Sequence, residues 1–332
     1  MRTVLSDPML RLLALAIALA AFLPIGEAHS GVAQTVTNAG IFLLFLLNGI
    51  RVPRAEILHG LRNARYIFAL IIWVFGAMAL IGLGIEEAVA AYLPPMVAVG
   101  FLFLGVLPST VQSATSYSML AEGNVGLSVV SAALLNILGV FVSVPLFLLL
   151  GGSGEGGVSF DVIQKIALML LFPFIIGQVA QGFAGKWVAQ HKSSAIWLDR
   201  LVIALAVYVA FSGAVRQGIW GRLEGPDWAV LLLGVCAFLA LAKGGAWAVS
   251  GALGLPARDR TSFLFAGSQK SAAVGVPLAT ILFTPDAAGF VVLPLLLYHF
   301  FQLVLAAPVA NRLAQRSRRQ DLPGYSGPTT RS

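Results

Sequence analysis

A lysine stands inside an apolar segment, Phe265–Ala279 (FAGSQKSAAVGVPLA), with Ser268, Gln269 and Ser271 around it. An earlier segment of similar character, Gly105–Ser118 (GVLPSTVQSATSYS), carries Ser109, Thr110, Gln112, Ser113, Thr115 and Ser116 and no formal charge. Gly and Pro interrupt both segments. Hydroxyl and amide oxygens beside freed backbone carbonyls are ligands suited to a hard cation such as sodium, whereas the N-terminal ends of interrupted helices suit an anion. Near the centre of a bilayer a lysine costs about 2.5–3.5 kcal/mol, so Lys270 requires a compensating partner. Two readings stand open. The ammonium is hydrogen-bonded to carbonyls of the opposing break, or it meets an anionic substrate or takes the place of a transported cation.

Other polar residues at membrane depth are fewer. Ser128, Ser131 and Asn136 recur along one side of the segment after the first break, where they can complete a site. His299 and Gln302 lie in the last apolar segment, and His299 is a candidate substrate contact. Lys243 (LALAKGGAW) lies nearer the end of its segment, where a long side chain is expected to snorkel to the interface. Cys236, the single cysteine, reads as a small core residue. Enzyme chemistry finds no footing: HExxH, CxxC and a phosphate-binding Gly-rich loop are absent from the sequence. Ser268 and Ser271 flank Lys270 at spacings that do not face one another on a helix, which argues against a Ser/Lys hydrolase. The expectation is no enzyme and no cofactor.

The elements that hold these residues are transmembrane helices. Of 332 residues 58% are hydrophobic and 11% charged, where a soluble domain carries roughly 25% charged residues. Ten stretches have about the 20 residues needed to cross a bilayer: 8–26, 33–51, 64–84, 91–121, 124–150, 161–183, 194–215, 227–252, 259–284 and 287–313. The net charge of +7 follows from topology. With the N-terminus in the cytoplasm, most Lys and Arg, from Arg11, Arg51 and Arg54 to Arg316 and Arg318, fall on cytoplasmic segments. Glu27, Glu86, Glu87, Glu155, Asp161, Glu224, Asp227 and Asp286 fall outside, as the positive-inside rule requires. Both termini are therefore expected in the cytoplasm, and Arg-rich, Ala- and Leu-rich composition suggests a bacterial inner membrane. The polybasic stretch Arg312–Arg319, which leads into a basic polar cytoplasmic tail over 316–332, is expected to anchor the last helix against anionic lipid rather than bind nucleic acid.

The Gly-rich connector Gly151–Gly157 separates five spans from five, 1–150 from 158–315. Five is odd, so the second set enters the membrane from the opposite side and any repeat is inverted. The fourth span of each set carries the polar break. Matched breaks in two inverted repeats point to the binding site of a secondary transporter.

At LPSTVQSATSYSMLAEGNVGLS (107–128) and FAGSQKSAAVGVP (265–277) the chain resembles the bile acid:sodium symporter superfamily, in particular the branch of sodium/bile acid cotransporter 7-like proteins. The resemblance covers residues 5–315. It implies an all-α integral membrane protein of ten helices in two inverted repeats, with panel (spans 1, 2, 6, 7) and core (spans 3–5, 8–10), and with the fourth and ninth helices broken and crossing at mid-membrane. It also implies alternating-access transport of a small organic anion or amphipathic solute. Where sodium-coupled relatives carry a Glu two residues before the Gly of the second break, this chain has Phe265, and Lys270 replaces their Asn, while Gln269 and Ser271 match. Ser128 falls on a sodium ligand, but the Thr four residues later is Ala132; the third-helix Gln has no counterpart. The last-helix substrate His falls on His299. These exchanges make the site more positive and disfavour sodium by Coulomb's law. The coupling ion is thereby left as sodium, a proton or none. An alternative of another class is a membrane regulator of ion homeostasis on the same scaffold. The sequence does not specify the oligomeric state.

Overall fold

The computed structural model of the protein describes residues 7–51, 63–151, 164 and 167–320. Arg2, Arg54, Arg62, Lys165, Glu155, Asp161, most of the Gly-rich connector and the tail after Gln320 lie outside the described residues. Every regular element described is helical. In chain order these are α1 (Pro8–Phe22), α2 (Glu27–Arg51), α3 (Ala64–Val89), α4 (Pro95–Val106), α5 (Val111–Leu120), α6 (Val125–Leu149) and α7 (Ala167–Gln190). There follow α8 (Lys192–Arg216), α9 (Ile219–Arg222), α10 (Gly225–Ala252), α11 (Ala257–Ser268), α12 (Ala272–Leu282) and α13 (Pro285–Gln320).

Local chemistry sets several of the starts. Pro8 and Pro226 occupy first-turn positions, where a missing N–H costs nothing. Asp7 caps α1 through Met9 N (2.7 Å), and Asn124 caps α6 through Leu127 N (3.1 Å). Glu224 and Asp227 form a capping box on α10. Between α5 and α6, Glu122 takes a left-handed conformation (φ 58°), and its carbonyl accepts from Arg258 Nε at 3.2 Å. Few non-glycine residues adopt that conformation.

Seven of the helices, α2, α3, α6, α7, α8, α10 and α13, are long and apolar enough to cross a membrane. The pair α4 and α5, bent by 62°, makes an eighth candidate. α1 is apolar but has 15 residues, and α11 and α12 have 12 and 11. The expected breaks fall at Leu107–Thr110 and Gln269–Ser271, inside the two segments the sequence marks. The last helix runs to Gln320, so residues 316–320 continue α13 instead of starting a tail. Arg318 Nε there donates to the Glu122 carboxylate at 2.6 Å.

Packing sorts the helices into two groups. α2 packs on α7 and α1 on α8, with α8 also against α2. α3, α4, α5, α6, α10, α11, α12 and α13 surround the breaks, and α8 joins the groups by lying along α13 and α12. Small residues allow the closest approaches, as expected where lipid removes the hydrophobic drive between helices. A Cβ on Gly177 would lie 2.2 Å from Leu46 O, and one on Gly82 2.6 Å from Phe101 O. Within α3 the six residues Ile72–Ala77 form a π turn that brings Trp73, Val74 and Phe75 all into the interior.

Candidate functional site at the crossing of the two broken helices

α4 and α11 end in the middle of the molecule, and α5 and α12 begin there. A helix ends with carbonyls that lack an intrahelical donor and begins with N–H groups that lack an acceptor. In this chain, side chains from the neighbouring helices supply donors to those carbonyls.

Lys270 is fully buried and reaches into the end of α4. Its Nζ donates to Leu107 O at 2.7 Å and Gly105 O at 2.8 Å, with Val74 O of the π turn at 3.4 Å. The negative end of the α4 dipole faces the same group and attracts positive charge. Of the two readings open from sequence, hydrogen bonding to the opposing break is what the geometry displays. Ser143 Oγ donates to Val106 O (2.8 Å) and Asn136 Nδ2 to Ser109 O (2.6 Å), which completes the first break. Neutral donors serve the second: Trp73 Nε1 to Gly267 O (3.1 Å) and Tyr298 OH to Ser268 O (2.6 Å).

The breaks are also tied directly to one another. Ser271 N donates to Pro108 O (3.0 Å), Thr110 Oγ1 to Lys270 O (2.8 Å) and Ser113 Oγ to Gln269 Oε1 (3.1 Å). Gln302 holds the backbone of Lys270 from both sides, accepting from its N–H (2.7 Å) and donating to its C=O (3.0 Å). The same Nε2 lies 2.8 Å from His299 Nδ1. If Gln302 donates in that contact, Nδ1 is the acceptor and the imidazole proton sits on Nε2.

Some of the sequence candidates meet here and others do not. Ser109, Thr110, Ser113, Gln269, Lys270, Ser271 and His299 all sit at or beside the crossing. Ser268 Oγ bonds back to Leu264 O in its own helix (2.7 Å), and Ser271 Oγ caps α12 through Val274 N. Ser128 accepts from Ser118 Oγ (3.0 Å) near the turn between α5 and α6, with Ser131 bonded to its carbonyl. Gln112 is exposed. Three buried polar atoms at the breaks have no partner among the described residues: Ser109 Oγ, Thr115 Oγ1 and Gln269 Nε2. Gln269 Nε2 is a pure donor, and its amide stands at the first turn of α5, bonded to Ser113.

Phe265 is fully buried and stacks on Tyr117 of α5, with ring centroids 5.9 Å apart and planes 28° from parallel. Trp73, Tyr298 and Gln302 carry no mark in the sequence that assigns them to carbonyl pairing. Two expectations fail nearby. Lys243 does not snorkel: its Nζ is buried, 5.8 Å from the Phe265 ring centroid, because α11 and α13 close over it. Cys236 is exposed on the outer face of α10 and is not a core residue.

The sequence profile of the SBF-like CPA transporter family matches residues 7–315. The chain belongs to that family. An uncharacterised Pseudomonas aeruginosa protein is 41% identical over 303 residues, 90% of each chain. A putative symporter of Escherichia coli K12, YfeH, is 33% identical over 315 residues, 94% of each. The sodium/bile acid cotransporter 7 of Xenopus tropicalis is 20% identical over 288 residues, 82% of this chain and 80% of the relative. The protein is thus a multi-pass membrane transporter of the bile acid:sodium symporter type.

Proposed function

We propose that the protein is a secondary transporter of a small organic anion or amphipathic solute, working by alternating access without sodium coupling. Ten spans in two inverted repeats, α1 to α6 and α7 to α13, are the frame of this reading, with both termini on the cytoplasmic side of a bacterial inner membrane. The observation that carries it is the position of Lys270 Nζ on the carbonyls at the end of α4. A covalently tethered ammonium there supplies the positive charge that a bound sodium would bring. Phe265 supports the same view, since a stacked aromatic ring stands where the resemblance expects a carboxylate ligand. A second bound cation next to Lys270 would add like-charge repulsion in a region of low dielectric.

The donor set favours an anionic group on the substrate. The first turn of α5 has no side-chain cap among the described residues, and the Gln269 amide nitrogen beside it lacks an acceptor there too. Ser109 and Thr115 add hydroxyls, and His299 lies within the same hydrogen-bond network. The helix packing is unequal in a way that suits an alternating mechanism. α8 lies against α12 and α13, whereas α2, its counterpart in an inverted repeat, makes no comparably extensive contact with α5 or α6 among the described helices. At one end of the molecule Arg216 and Asp286 pair across α8 and α13 at 3.4 Å.

Thermal unfolding of purified protein in detergent tests the coupling. Sodium and potassium at equal ionic strength are expected to give the same Tm. A sodium-specific rise of several degrees, as linkage demands of a ligand bound to the folded state, defeats the reading. Uptake of taurocholate and of simpler aryl carboxylates into proteoliposomes tests transport itself, and intact protein with no flux for any anion would favour the regulatory alternative.

A further inference from the structure

His299 and Gln302 lie one turn apart on α13, a spacing at which helical side chains meet. Both turn toward the backbone of Lys270. The two ends of a glutamine amide are alike in shape, so its orientation follows from its partners. Here the partners leave one choice. Lys270 N–H is a donor, so the amide end 2.7 Å from it is the oxygen. Lys270 C=O is an acceptor, so the end 3.0 Å from it is the nitrogen. Both backbone groups give the same answer, and Gln302 is fully buried.

One amide hydrogen of Gln302 is left, and His299 Nδ1 lies 2.8 Å from that nitrogen. A proton on Nδ1 would set two donors face to face at that distance. Lys270 O, 3.5 Å from Nδ1, is too far to turn such a proton aside while Gln302 is in place. Nδ1 therefore accepts, and a neutral imidazole that accepts there carries its proton on Nε2. Among the described residues Nε2 has no hydrogen-bond partner, and His299 keeps 6% of its surface exposed.

We infer that Gln302 is a positioning residue that holds His299 as the Nε2–H tautomer, so that the ring offers the transported solute a hydrogen-bond donor and does not carry a coupling proton on Nδ1. The part that concerns the solute rests on the transport reading above; the tautomer does not. A donor at this place selects an oxygen acceptor, such as a carboxylate or sulfonate. It also narrows the choice of coupling ion, because a proton relayed through His299 would have to break the bond to Gln302. The titratable side chains that neighbouring elements bring toward this stretch of α13 are Tyr117, Tyr298, Lys270, Lys243 and Asp7. Tyr117 OH donates to Leu303 O (3.2 Å), Tyr298 OH to Ser268 O and Lys270 Nζ to the α4 carbonyls. Lys243 Nζ lies 5.8 Å from the Phe265 ring centroid, and Asp7, the carboxylate in electrostatic range of His299, caps α1. None of them is hydrogen-bonded to the imidazole.

Solid-state NMR of the full chain in lipid, with nitrogen-15 histidine, reads the ring directly. Of the four histidines, the His299 signals are those lost in His299→Gln. Near neutral pH and at about pH 5.5 alike, within the range where histidines commonly change charge, Nδ1 is expected unprotonated and Nε2 protonated. A protonated Nδ1 at either pH overturns the proposal. Gln302→Met frees Nδ1 and deprives Lys270 O of its donor, so the proton is expected to move to Nδ1 and face that carbonyl. A residue that merely braced the backbone of Lys270 would leave the ring signature unchanged, and that outcome also overturns the proposal. If this variant does not fold, the spectrum of the parent protein decides. In proteoliposomes His299→Gln, whose amide nitrogen reaches the place of Nε2, should take up aryl carboxylates at least about fivefold faster than His299→Asn, whose shorter amide reaches only that of Nδ1. Equal rates overturn the role in binding. A parent protein that moves no anion yet shows the expected ring signature defeats the transport reading and upholds the tautomer.

Discussion

Lys270 and Lys243 are both ammonium groups buried among apolar helices, yet the molecule treats them in opposite ways. Lys270 is enclosed by carbonyls that a broken helix leaves free, and Lys243 is enclosed by aromatic and aliphatic side chains. The first is a structural keystone for the crossing. The second is a charge whose partner the described chain does not supply. Depth in the membrane is thus a poor guide to the role of a buried lysine, and the acceptors around its nitrogen are a good one.

The largest effect should come from removing the paired lysine. Lys270→Met leaves Gly105 and Leu107 carbonyls without their donor and is expected to cost about 3–5 kcal/mol, read as a lowered Tm or lost expression. If the variant is as stable as the parent, Lys270 is not holding the breaks together. Lys243→Met should move the other way, raising stability by about 1–3 kcal/mol because replacing a buried unpaired charge with an apolar group removes a desolvation penalty. A loss of stability there would reveal a partner for Lys243 and erase the contrast between the two residues.

A smaller effect separates the two breaks. Tyr298→Phe unpairs a single neutral donor from Ser268 O and should cost about 1–3 kcal/mol, less than the lysine at the first break. Smallest of all in stability is Arg216→Gln, which removes a partly exposed ion pair worth about 0–1 kcal/mol. Its measurable consequence is conformational: in a Cys236→Ser background, labelling of a cysteine placed at Ala210, buried under Gly289, should accelerate if that pair helps to hold α8 against α13.

The positions of the helices and of both breaks are legible in the sequence because each depends on local chemistry. Apolar runs mark the spans, and Pro108, Gly267 and the clustered hydroxyls mark where the helix ends. The partners of Lys270 are not legible. They are backbone carbonyls, which every residue owns, and only the folded paths of α3 and α4 show which three converge. The same holds for Tyr117 and Phe265, whose stacking needs α5 and α11 side by side. Lys243 and Cys236 defeat the sequence for a related reason: it gives distance along a helix but not which face the neighbours cover. The partner of Ser128, the Ser118 hydroxyl across the turn between α5 and α6, is likewise visible only once the two helices are folded together.

The π turn of α3 has a consequence for how the two ends of that helix are phased. Before the turn, Tyr66 meets Phe263 of α11 edge-on at 5.4 Å; after it, Gly82 admits the backbone of α4. An α-helix advances about 100° per residue, so one amino acid too few between positions 72 and 77 would swing Gly82 away from α4 while leaving Tyr66 in place. A single added residue thus works as a phase shifter, letting one rod present correct faces to two neighbours that an uninterrupted helix would serve only one at a time.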